Sequence, residues 1–198
     1  MRSRIMLALT VMLWAVPASA VPILSVNPVS GAATVGGSTT FDIVVADAED
    51  LYAFQFDLSF DPTIVQVASV LEGAFLATGG STFFLPGDID NVAGTLSFLG
   101  NSLIGEIPGV VGAGILARVT FTALAAGTST IDLLNAIVLD STLAEVTSIT
   151  NGGSLTVTAG GGGGGSERVP EPGTLALLAI GGLAMFGVRR RRPAIQAA

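Results

Sequence analysis

Asp88, Asp90 and Asn91 stand close together behind Gly87, and Asp47, Glu49 and Asp50 form a second oxygen-rich group. Carboxylate and amide oxygens are what hard cations such as Ca²⁺ accept. Neither group has the spacing of a helix-loop-helix calcium loop, which also needs a later glutamate. Acidic loops on an acidic protein are ordinarily just solvated. No bound metal is therefore expected, Asp88, Asp90 and Asn91 being the better of the two groups for calcium. Gly112-Ala113-Gly114-Ile115-Leu116-Ala117 has the letters of a dinucleotide-binding turn. That mechanism needs a helix aimed at the pyrophosphate, and here an alternating strand pattern follows. The stretch is read as a loop entering a strand, and no cofactor is expected. A glycosidase would need two carboxylates aligned across a cleft, and the sequence singles out no such pair. The absence of Cys and His removes thiolate nucleophiles, Ser-His-acid triads and imidazole metal sites. The chain reads as non-catalytic.

The elements that would carry any site must fit in 198 residues, of which half are hydrophobic and 12% charged, with 26 Gly and 9 Pro. That length suits one globular domain plus appendages. All eight basic residues are Arg, and Arg118 is the only one between residues 21 and 158. One Arg against 13 acids gives that stretch a net charge of −12. Such a field opposes binding to nucleic-acid phosphates or anionic lipid, so no nucleic-acid partner is expected.

Arg2 and Arg4 precede an apolar run from Ile5 to Val16, and Pro17-Ala18-Ser19-Ala20 supplies a small-x-small site. This is the three-part layout of a secretory signal peptide, residues 1–20, with Ala18 and Ala20 marking the signal peptidase site. At the other end, Val169-Pro170-Glu171-Pro172 leads into an apolar segment over 173–188 and then Arg189, Arg190, Arg191 and Arg192, before a short tail over 193–198. At about 1.5 Å per residue that segment makes a transmembrane helix of roughly 24 Å, slightly short unless the arginines snorkel. Four Arg after the span hold that side in the cytoplasm, leaving the bulk of the chain outside. Pro170 and Pro172 keep the segment before the helix extended. Residues 159–168, with six successive glycines from Gly160 to Gly165, read as a flexible linker.

Pro170-Glu171-Pro172, an apolar helix and an Arg cluster, in that order, closely resemble the PEP-CTERM sorting signal. The resemblance covers residues 169–192. It implies recognition and processing by a membrane protease of the exosortase type in an exopolysaccharide-making Gram-negative bacterium. The chain would sit in the inner membrane before processing, and then at the cell surface, outside the cell or in the exopolysaccharide matrix.

Between the addresses the dominant pattern has period two, the alternation of a half-buried strand. Phe54, Phe56, Leu58 and Phe60 alternate with Gln55, Asp57 and Ser59. Phe41, Ile43 and Val45 do the same, as do Ala117, Val119 and Phe121, and Leu155 and Val157. Gly36-Gly37, Asp61-Pro62, Gly79-Gly80, Gly87-Asp88, Gly127 and Asn151-Gly152 punctuate the runs as turns. The expected fold over 21–158 is all-β, a two-sheet antiparallel sandwich of eight or nine strands. Phe41, Phe54, Phe56, Phe60, Phe98 and Phe121 are its expected core.

The succession of Leu24-Ser25-Val26, Gly36-Gly37, Leu51 to Pro62, Thr95 to Phe98, Gly114 to Phe121, Gly127 to Ile131 and Asn151 to Val157 resembles a cohesin domain. That implies jelly-roll topology, kinship in fold with carbohydrate-binding modules, and a partner of the dockerin type. No contact residue is transferable on these matches, which are core and turn positions. The expected function is an exported binding or scaffold module for a protein or a polysaccharide. Tyr52 is the one aromatic other than Phe in the expected mature domain, which weakens a sugar-stacking platform. The alternatives are a self-associating structural matrix protein and, behind it, a polysaccharide-active enzyme.

Overall fold

The computed structural model describes residues 20–160. The expected signal and transmembrane helices, with Ala18, Pro170, Glu171, Pro172 and Arg189 to Arg192, lie outside the described residues, as do 161–168 of the linker. Twelve strands and one short helix follow in chain order. They are β1 (Ile23–Asn27), β2 (Ser30–Thr34), β3 (Ser38–Leu51), β4 (Ala53–Ser59), β5 (Val65–Glu72), α1 (Ala74–Ala77), β6 (Thr82–Leu85), β7 (Asp88–Asp90), β8 (Thr95–Leu103), β9 (Val110–Ala123), β10 (Gly127–Leu139), β11 (Ile149–Asn151) and β12 (Gly153–Thr158). A five-stranded sheet runs β11-β1-β3-β9-β5. A seven-stranded sheet runs β2-β12-β10-β4-β8-β6, with β7 also paired to β8.

The two-sheet sandwich is as expected, and the strand count exceeds the eight or nine anticipated. The excess lies in the three-residue strands β7 and β11 and in the amino-terminal strand, which breaks at Asn27-Pro28 and serves both sheets. Proline has no amide proton to donate to a ladder, so the break falls where it does. The carboxyl end divides likewise at Gly152. The sheets are consequently mixed, β1 with β11 and β2 with β12 being parallel pairs among antiparallel neighbours.

Alternation places the core as read. Phe41, Phe54, Phe56, Phe60 and Phe121 are all buried, with Ile43, Leu58, Val119, Leu155 and Val157. Phe121 meets Phe41 and Phe60 edge-on, at centroid separations of 5.9 and 5.5 Å, a geometry worth about 0.5–1.5 kcal/mol per pair beyond area burial. Phe98 is a correction: it is 63% exposed. A bulge in β8 breaks the period, so Leu99 takes the inward place. The Gly112-Ala113-Gly114 stretch is a second correction, lying within β9 and not in a loop before it. Gly114 is required there because a Cβ would stand 2.6 Å from the Phe75 ring, and Phe75 and Leu76 of α1 pack into the core.

The open side of the sandwich beside β5 and β6 is closed by a polar clasp. Glu72 Oε1 accepts from the Asn101 amide at 2.8 Å and from the Thr82 hydroxyl at 2.6 Å. Asn101 is buried; the charge-assisted bond to Glu72 offsets the cost of burying its Nδ2, while its Oδ1 finds no partner among the described residues.

Candidate functional site

The two outer faces of the sandwich differ in chemistry. On the five-stranded sheet, cross-strand rows pair Ser38 with Thr122, Thr40 with Thr120 and Asp42 with Arg118. The Arg118 Nε to Asp42 Oδ1 distance is 2.9 Å, and both side chains are partly solvated. Such an exposed pair contributes little.

On the seven-stranded sheet the strands β6, β8, β4 and β10 present a groove of about 440 Å³. Its floor comes from small residues. Gly100 lies so close to β4 that a Cβ would meet the Phe54 carbonyl at 2.8 Å, and Ala53 and Ser102 flank it. Its walls are large and apolar: Phe83 and Leu85 from β6, Phe98 from β8, and Ile137 from β10. All four are exposed, Phe83 at 59%. Leu134 is also exposed on β10. This rim of exposed apolar side chains around a small-residue floor sets the face apart from the polar rows of the other sheet.

Phe98 stands out within it. Its φ is +58°, in a region an aromatic L-residue enters at a cost of roughly 1–2 kcal/mol. Water exposure of the ring adds to that cost. The register shows the cause. Phe56 pairs with Leu99 and Leu58 with Leu96, so Ser97 and Phe98 together oppose Asp57. This groove escaped the sequence reading. Phe98-Leu99 is an apolar doublet of which one member must face out, and period two alone assigned the wrong one. In β6 the run Thr82-Phe83-Phe84-Leu85 is too short to declare its face.

The acidic groups of the sequence reading have other employment. Asp90 Oδ1 accepts from the amides of Val92 and Ala93 at 2.9 and 2.8 Å, and these bonds hold its carboxyl below the usual aspartate range. Asn91 is spent on β5, accepting from Val67 N–H at 2.8 Å and donating to the Val67 carbonyl at 3.0 Å. Asp88 is exposed on β7. Asp47, Glu49 and Asp50 do not gather into a metal-holding group. Asp47 sits at a positive φ, and Glu49 Oε1 accepts from Ala20 N–H at 3.0 Å. Asp50 accepts from Gly109 N–H at 2.6 Å and from the Ser141 hydroxyl at 2.7 Å. The Ser141 hydroxyl is the main cause of its lowered pKa. Glu49 and Asp50 border a cavity of about 180 Å³ together with Asp140. Among the described residues, no group of three or more His, Cys, Asp or Glu is disposed to hold a metal ion. Tyr52, the one aromatic other than Phe among the described residues, directs its hydroxyl to the Gly105 carbonyl at 2.6 Å.

A family model for the cohesin domain matches residues 24–178, and one for the PEP-CTERM protein-sorting motif matches residues 168–192. No curated protein matches the chain. Solved structures do. A non-cellulosomal cohesin from the archaeon Archaeoglobus fulgidus is similar at TM-score 0.57 and 15% identity, over 71% of this chain and 93% of that one. A cohesin of OlpC from Clostridium thermocellum, solved in complex with the dockerin Doc435, gives TM-score 0.59 at 12% identity, over 74% and 99%. The cohesin CaCohA2 from Clostridium acetobutylicum gives 0.56 at 20% identity, over 71% and 92%. At these identities the likeness is one of fold. With the family model spanning most of the sequence and a sorting motif following it, the chain belongs to the cohesin domain family and carries a PEP-CTERM protein-sorting motif.

Proposed function

We propose that this protein is an exported, non-catalytic module that docks a protein partner on the outer face of β6, β8, β4 and β10. The observation that carries this reading is the apolar groove with Phe98 held outward at a positive φ. A fold that keeps an aromatic ring in an unfavourable backbone region and in water gains nothing from it until something covers the ring. The OlpC relative was solved with a dockerin, which supports a folded protein as the occupant. A glycan fits less well, because sugar platforms commonly use Trp or Tyr and this groove has Phe only.

The addresses complete the reading. Signal peptidase releases the chain after Ala20, and the apolar helix over 173–188 holds it in the inner membrane. An exosortase-type enzyme then processes it at Pro170-Glu171-Pro172. From there it passes to the cell surface, the outside or the exopolysaccharide matrix of a Gram-negative cell.

Two measurements test this. Expressed in its own host, the mature product should have an intact mass lacking residues 1–20 and the tail near Pro172. A retained tail in the inner membrane sinks the sorting half. Partner capture by the full chain should be lost in Phe83→Asp and Phe98→Asp and kept in Thr40→Asp on the opposite face. Equal loss on both faces, or retention on polysaccharide gels that ignores Phe98, sinks the docking half.

A further inference from the structure

Asp57 lies on β4 in the middle of the seven-stranded sheet, and both of its neighbours are irregular beside it. On β8, Ser97 and Phe98 together oppose it. On β10, Asp57 pairs with Leu134 while Gln55 pairs with Ile137, so Asn135 and Ala136 share one place opposite Phe56. Each bulge contains an L-residue at positive φ, Phe98 at +58° and Asn135 at +50°. Both of those residues donate to the same carboxylate. Phe98 N–H reaches Asp57 Oδ1 at 2.8 Å, and Asn135 Nδ2 reaches Asp57 Oδ2 at 2.7 Å.

Bulges re-aim side chains, since one extra residue inverts the alternation beyond it. Here the bulge in β8 turns Phe98 outward, and the bulge in β10 sets the placement of Ile137. These residues form opposite walls of the groove. We propose that Asp57 is the positioning residue of the docking face, one carboxylate pinning both bulges and thereby setting the spacing of the walls that the partner would meet. Asp57 is not among the residues lining the groove. It acts through the strands on either side.

The chemistry calls for an ionised carboxylate. It offers acceptors on both oxygens, so it can serve two donors from opposite sides. An asparagine at 57 can accept from Phe98 N–H but meets Asn135 only by donating to its flipped amide oxygen, which replaces a charge-assisted bond by a weaker neutral one. This inference rests on the docking reading for its purpose and on the hydrogen bonds for its substance, so the two fail separately.

Hydrogen exchange on the full chain provides the test. In Asp57→Asn, exchange should quicken at least about tenfold, the loss of roughly one charge-assisted bond, at the Phe98 amide or across 134–137. Exchange across Phe41 to Val45 of β3 should stay unchanged. Adding Asn135→Asp to Asp57→Asn should restore protection, because the new amide at 57 then donates to a carboxylate at 135. Loss of a generally useful charge would not be repaired by moving that charge one strand over. Unchanged exchange in Asp57→Asn, a uniform increase over both sheets, or no repair in the double variant would each overturn the proposal. If Asp57→Asn does not fold, Asn135→Ala replaces it, with faster exchange expected over 134–137 and Phe98 still protected; no change there overturns it. If partner capture proves insensitive to Phe98, the docking reading falls while the exchange result stands.

Discussion

At the scale of single residues, Phe98 separates the demands of folding from those of the proposed docking. Its ring contributes little to the core and its backbone sits where asparagine is far better tolerated. Phe98→Asn should therefore leave the fold intact and raise stability by about 1 kcal/mol, the order of the αL penalty relieved. A melting temperature a few degrees higher, with partner capture lost, would be the combined result. Phe56→Ala should do the reverse, costing about 3–5 kcal/mol as a fully buried ring is deleted. A fall in melting temperature for Phe98→Asn comparable with that of Phe56→Ala would show that the ring belongs to the core after all. Asp50 makes a related point: its carboxylate joins Gly109 and Ser141, binding two loops, although in the sequence it stood in the lesser of two oxygen-rich groups.

Among the elements, what the sequence made legible followed from regularity. β3, β4, β9 and β12 alternate cleanly along their central residues, and their inward residues were read correctly because a half-buried strand leaves one face no choice. The failures occur where that regularity stops. β8 was misassigned at its bulge, and β6 and β7 are too short to show a period. The turn of α1 is a single one, too brief to carry a helical stripe. The candidate docking face was illegible for the same reason, being built from a bulge, a short strand and a glycine floor. Gly114 shows how an element outside the pattern is nonetheless specified. Gly114→Val should push Phe75 and α1 away from β9 and cost about 1–3 kcal/mol by overpacking. A thermal melt reads this, and a value within error of the parent would mean that α1 yields freely.

For the molecule as a whole, pH should matter in one direction only. Asp50, Asp61, Asp90 and Asp140 all have pKa values lowered in the folded state by hydrogen bonds to loop hydroxyls and amides: Ser141 for Asp50, Thr63 for Asp61, Ala93 and Val92 for Asp90, and Thr142 and Ala144 for Asp140. A carboxylate with a depressed folded pKa adds stability that is fully present above its unfolded pKa, about 3.9. That stability is lost as pH falls through the folded values. With no histidine in the chain, no side chain of ordinary pKa titrates between about pH 5 and 8. Melting temperature should be flat across that interval and fall below about pH 4. A marked loss beginning above pH 5 would contradict the assignment of these loop caps as the acid-sensitive contacts.

The two ends of the sandwich lie far apart along its long axis. Ile23, where β1 begins, pairs with Ala46 in the far half of β3, whereas the described chain finishes beside Val35, just before β3 begins. The stretch of β3 from Ser38 to Ala46 separates them by roughly 25 Å at about 3.3 Å per residue. The chain leaves through β12, which is held between β10 on one side and β2 on the other. A pull from the carboxyl tether along that strand would load both ladders in shear, many bonds resisting at once, and would not peel them open one by one. If the proposed docking and sorting hold, the partner's load would enter the chain where it is mechanically strong.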